Sequence, residues 1–151
     1  MPPIDPAALL AGAEAARTQP EQSAEVIARA LRAAPQDAEL RLAAYRFYFY
    51  THNHAAALEQ AEELLRHAAR RLNVAPDWRD VAPEDAAFGA QDFAPGLYMQ
   101  ALVAIGYCAA RTGALAEARA VLGKAAELDP SDRFGGAWLL ARLDAVEDEE
   151  A

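Results

Sequence analysis

The sequence predicts an all-α protein, and three observations carry that prediction. Hydrophobic residues make up 54% of the chain, but they come largely from Ala and Leu, side chains that favour helices with small contact faces over strands of β-branched residues. Apolar positions recur at helical spacing in segments closed by Pro or Gly. The pattern also returns along the chain: Ser23 and Ala57 stand 34 residues apart and open the matching runs Ser23-x-x-x-Ile27-x-x-Ala30 and Ala57-x-x-x-Ala61-x-x-Leu64. At 151 residues the chain reads as a single domain that can bury a core without a disulfide or a metal.

Taken in order, the periodicity places helices at about 6 to 17, 21 to 33, 37 to 50, 54 to 72, 96 to 111, 115 to 127 and 132 to 146. Leu10-Ala11 marks the first, and Pro35 closes the second. Five aromatics, Tyr45 to Tyr50 with Arg46 excepted, crowd the third. The fourth is charged and amphipathic, with Glu62 and Arg66 four apart in the stabilising order. Gly113 offers the positive φ that ends the fifth, and Pro130 prevents the sixth from continuing. The seventh brings Trp138, Leu139, Leu140 and Leu143 to cover the last helical pair, ahead of an acidic, solvated tail at 148 to 151. Residues 73 to 95 break the period. This stretch carries Trp78, Val81, Phe88 and Phe93, which a disordered linker lacks, so it reads as an ordered excursion with one helical turn near Pro83 to Phe88 and its aromatics packed on the helices.

The clearest unit is Leu102-x-x-Ile105-Gly106-x-x-Ala109, then Thr112-Gly113, then Ala118-x-x-x-Leu122-x-x-Ala125, ending Leu128-Asp129-Pro130. It resembles a tetratricopeptide repeat, with Leu102 and Ala109 where the family carries large aromatics. Small Gly106 would let the paired helix approach closely, and Ala118 would stand where the two helices cross. The resemblance implies a right-handed superhelix of antiparallel helix hairpins: repeats at about 4 to 35, 36 to 72 and 96 to 130, an inserted loop at 73 to 95 and a capping helix at 131 to 147. In the middle repeat, Tyr45 keeps strict spacing as the close-contact residue, whereas Ala44 requires one extra residue in the turn Thr51-His52-Asn53-His54. Ala44 is preferred for its size.

Composition excludes several functions. Fourteen Lys and Arg against 23 Asp and Glu leave a net charge of −9, which repels phosphate and argues against nucleic acid and against anionic membranes. The single cysteine, Cys108, suits a reducing, cytoplasmic setting and a buried, inert role. No signal segment or membrane span is expected. His52, His54 and His67 lack the further ligands of a metal site, no nucleotide-binding motif is present, and no nucleophile set is found, so no cofactor and no enzymatic activity are expected.

The resemblance implies binding. First helices of such hairpins line a concave groove, which assigns Arg41, Tyr45, Tyr48 and Phe49, with Gln100, Tyr107 and Arg111 in the next repeat, to a surface for a peptide or helix of a partner protein. Phe47 turns to the core instead. Tyr and Arg anchor interfaces because each joins contact area to a hydrogen-bond donor. Trp78 or Phe88 folding back over this groove would close it at rest. Two alternatives stand beside this reading: a chaperone-like accessory protein of a bacterial secretion or assembly system, and a structural subunit that forms a homodimer through its aromatic face.

Overall fold

The structure is a computed structural model that describes residues 20 to 150. The helix expected at 6 to 17 lies outside the described residues. Among those described there are six α-helices and no strand: α1 Pro20–Ala33, α2 Ala38–Tyr50, α3 His54–Leu72, α4 Phe93–Arg111, α5 Leu115–Leu128 and α6 Gly136–Glu150. The chain forms two compact units, the first ending at Gln60 and the second beginning at Ala61.

In the first unit α1 packs on α2. Pro20 opens α1, a position where its missing N–H costs nothing. Ile27 packs with Ala44 and Phe47, and Ala30 with Leu40, while Leu31 fills in beside both clusters. The spacing of Ile27, Ala30 and Leu31 is the helical stripe that the sequence pattern requires. Asp37 caps α2 by accepting the Leu40 N–H at 3.1 Å. At the other end His52 takes the left-handed conformation, φ 62°. His52 N–H then donates to the Phe49 carbonyl and Asn53 N–H to the Tyr48 carbonyl, the double closure of a Schellman motif. Asn53 serves α3 as well, its side chain accepting the Ala56 N–H.

The second unit is built around α4. This helix is long and apolar enough to cross a membrane by length and composition, but 61% of its apolar window is buried inside the protein. It packs on α5, and α6 packs on both. Gly106 makes the first contact possible, because a Cβ there would stand 2.5 Å from Leu122 Cδ2 and 2.6 Å from its Cγ. Ala118 is fully buried, as the crossing requires. Gly113, φ 90°, closes α4 with the same two backbone bonds that His52 and Asn53 make for α2. Asn73, φ 57°, does so for α3.

Several expectations change. α4 begins at Phe93 rather than 96, because Pro95 lies in the first turn, where an N–H has no helical partner to lose, and the Gly96 N–H already donates to the Asp92 carbonyl at 3.3 Å. Phe93 is therefore a helix residue and not part of the inserted loop. α6 begins at Gly136 rather than Asp132. Asp132 adopts φ 54° and turns its carboxylate onto the Ala137 and Trp138 N–H groups at 2.9 and 3.1 Å, so it caps the helix from outside. Gly136 then enters close to α5, where a Cβ would be 2.8 Å from that of Ala125. α6 continues to Glu150, so most of the acidic run is helix rather than tail. Leu139, Leu140 and Leu143 are half-buried, but Trp138 turns outward, 57% exposed beneath the Arg142 guanidinium. Arg66 pairs with Glu63 rather than Glu62.

The excursion is ordered. It makes two 3₁₀ turns, Trp78–Asp80 and Pro83–Asp85, the first capped by Asp77. The Arg79 backbone N–H on its oxygen is the main reason the Asp77 carboxyl is held below the usual range. Val81 and Phe88 are buried. Phe88 meets the ring of Tyr98 at 5.4 Å, Lys124 donates to the Val81 carbonyl at 2.7 Å, and Arg79 reaches both oxygens of Glu117 at 3.0 Å. The strap is thus pinned to α5 and to the base of α4.

Candidate functional site

The groove residues fall on α2 in the first unit and on α4 in the second. On α2 the structure divides them by role. Arg41 is engaged internally: one guanidinium nitrogen donates to Gln60 Oε1 at 2.9 Å and the other to the Pro35 carbonyl at 2.7 Å. It ties the start of α2 to α3, and a partner carboxylate would have to displace both bonds to use it. Tyr48 packs against the Ile27, Ala44 and Phe47 core. Burial pushes its phenol up, and the Glu59 carboxylate adds to the shift. Phe47 enters the core as expected, 6% exposed.

Tyr45 and Phe49 are half-buried and belong to a run of rings at the end of the helix. Tyr45 and Phe49 centroids are 5.9 Å apart, Phe49 and Tyr50 are 5.4 Å apart and edge-on, Phe49 and His54 are 6.3 Å apart, and His54 and His52 are 6.1 Å apart. Such offset and edge-on pairs stabilise one another by roughly 0.5 to 1.5 kcal/mol each. Tyr50 finishes the run and is 60% exposed. With Ala44 at the close contact, Tyr50 is left out of the expected groove. The turn shows the spacing directly: Ala57 N–H donates to the Asn53 carbonyl as Ala118 N–H does to that of Ala114. No extra residue is present, so Tyr45 stands at the position of Gly106 counted from the turn, even though Ala44 is the fully buried residue. The exposed stripe is then Glu39, Arg46 and Tyr50. Strict 34-residue spacing was the signal that could have found it.

On α4, Gln100 and Arg111 are exposed and Tyr107 is half-buried. They lie on the side opposite Leu102, Ile105 and Ala109, which are buried. The strap does not cover Gln100 or Arg111, since Phe88 is seated on Tyr98 and Trp78 is half-buried with the Arg79 guanidinium 4.3 Å above its ring. Cys108 is fully buried, and burial pushes its thiol up to about 11, which keeps it protonated and unreactive near neutrality. Tyr98 is 1% exposed, and its hydroxyl finds no hydrogen-bond partner among the described residues. Burial, helped by the Asp77 charge, pushes that phenol up to about 12. No three His, Cys, Asp or Glu side chains among the described residues are grouped as metal ligands.

Over the described residues the protein is all-helical, with tyrosine and arginine on one face of α2 and on one face of α4. No protein-family model matches the chain, and no solved structure matches it. It is similar to an uncharacterized 19.8 kDa protein in the nifW 5′ region of Azotobacter chroococcum mcd 1, 32% identical over 130 residues that span 85% of this chain and 70% of that one. The chain belongs to the family of that protein.

Proposed function

We propose that this protein is a non-catalytic interaction module of the superhelical tetratricopeptide type, which docks a peptide segment or helix of a partner protein on the exposed faces of its first-of-pair helices. The supporting observation is Tyr50. A tyrosine left 60% exposed at the end of a packed run of rings is pre-ordered, because its neighbours restrict its rotamers before anything binds. It therefore loses little side-chain entropy on binding, and its exposed ring offers contact area. Gln100 and Arg111 provide the corresponding polar contacts on α4. Arg41 serves as a brace for α2, and Tyr48 as core.

The test is capture of a partner from native lysate by the wild-type chain and by Tyr50→Ala and Arg111→Ala. Both residues are exposed, so the fold should survive, as circular dichroism would verify. Loss of the same captured protein with either variant is expected, by about 2 kcal/mol or more for a hot-spot residue. An unchanged set of captured proteins with both variants rejects this face.

A further inference from the structure

The last two turns of α3 carry Arg66, His67, Arg70 and Arg71. On a chain of net charge −9, most of whose acidic excess falls after residue 60, this is a local island of positive charge. Arg66 is neutralised by Glu63. Arg70 and Arg71 are exposed and make no ion pair among the described residues. His67 stands close enough to both for their charges to push its imidazole down, in addition to the larger effect of burial. The imidazole is therefore held neutral near pH 7, and the positive charge of the island is that of the arginines. Beside them the ring of Phe93, 51% exposed, lies 5.8 Å below the Arg71 guanidinium. The island thus combines two available guanidinium groups with an adjoining apolar surface.

The backbone prepares the place as well. Asn73 and Val74 N–H groups close the carbonyls of Arg70 and Ala69, which reduces the negative end of the helix that would otherwise oppose an anion. We propose that this end of α3, with Phe93, is a second docking surface, and that its occupant is a short acidic segment of a partner protein carrying an apolar residue. The segment's carboxylates pair with Arg70 and Arg71, and its apolar residue packs on Phe93. Guanidinium groups suit carboxylates because they can offer two parallel N–H donors. Length discriminates among anions. A short segment can confine its carboxylates to the island, whereas a nucleic acid or a membrane would also meet the rest of a chain whose net charge is −9 and be repelled. None of its residues, Arg70, Arg71 and Phe93, is used by the function proposed above, so the inference goes beyond it.

The experiment uses the full chain and a fluorescent acidic peptide of about ten residues with one central Phe, read by anisotropy at low salt. Wild type should bind. Arg70→Glu with Arg71→Glu should weaken binding at least about tenfold, and Phe93→Ala about threefold. Arg29→Glu, an exposed charge reversal on α1, and Tyr50→Ala should leave it unchanged, and raised salt should abolish it. The proposal is overturned if wild type does not bind the peptide, or if the double reversal binds as wild type does. It is also overturned if Arg29→Glu weakens binding equally, which would mean diffuse attraction, or if a single-stranded oligonucleotide or anionic vesicles bind equally well. Loss of binding by Tyr50→Ala would move the site to the α2 face and refute the separate surface.

Discussion

The turns that end α2 and α4 have the same construction from different residues. Thr51-His52-Asn53 and Thr112-Gly113-Ala114 lie 61 residues apart, each with a left-handed middle residue and two backbone bonds closing the helix. In both, the threonine hydroxyl donates to the carbonyl four residues back, Phe47 at 2.9 Å and Cys108 at 3.0 Å. The helices they close are used differently. α4 presents Gly106 and a string of small residues and is buried along most of its length. α2 carries Tyr45 at the matching position and an aromatic run that remains half-exposed. Local chain reversal therefore specifies the hairpin, whereas side-chain size along the helix decides whether it becomes core or surface.

Three measurements bear on that contrast. The largest effect should come with alkaline pH, through the burial of α4. The Tyr98 phenol titrates near 10 when unfolded and is pushed up to about 12 in the fold. Between those values the unfolded state binds fewer protons, so stability falls as pH rises, by roughly 2 to 3 kcal/mol across the interval. Cys108, pushed from 9.0 up to about 11, acts in the same direction at slightly lower pH. Denaturant melts of Tyr98→Phe should match or exceed wild type at pH 7, since an unpartnered hydroxyl is removed, and should show a flatter alkaline limb. A limb as steep as wild type would mean that this buried phenol does not set it.

Next comes Gly106→Ala. A Cβ placed 2.5 Å from the Leu122 side chain forces the two helices apart or Leu122 off its rotamer, at about 1 to 3 kcal/mol. Combining it with Leu122→Ala relieves the clash, so the pair should be sub-additive in chemical denaturation; strict additivity would show that the close approach is not limiting.

The smallest effects should have opposite signs. His52→Gly should stabilise by about 0.5 to 1 kcal/mol by relieving a left-handed residue that carries a Cβ, and Gly113→Ala should destabilise by about 1 kcal/mol for the converse reason. Equal signs in thermal melts would break the equivalence of the two turns.

Much of the helix layout was legible because it is written in residues that act locally. His54 to Leu72 is recovered to the residue, and α5 to within one, since Asn53, Gly113 and Pro130 act on their immediate neighbours. The starts of α4 and α6 were missed where the deciding group acts from outside the helix or where a proline is tolerated in the first turn. Asp132 reaches N–H groups five and six residues on, a geometry that no periodicity displays. The candidate site was less legible. Arg41 falls among the expected groove residues, but its bonds to Gln60 and Pro35 exist only once α2 and α3 are placed together. The pairing of Arg66 with Glu63 over Glu62 is likewise a choice among rotamers on one surface.

By itself the sequence determined that the chain is helical, roughly where each described helix runs and that Gly113 closes α4 with a positive φ, because propensity, capping and proline sterics are short-range. Tertiary structure alone decided which of several similar aromatics and arginines are structural and which face solvent. Burial and hydrogen bonding depend on what other elements bring to the same place, and nothing in the order of residues along one helix states that.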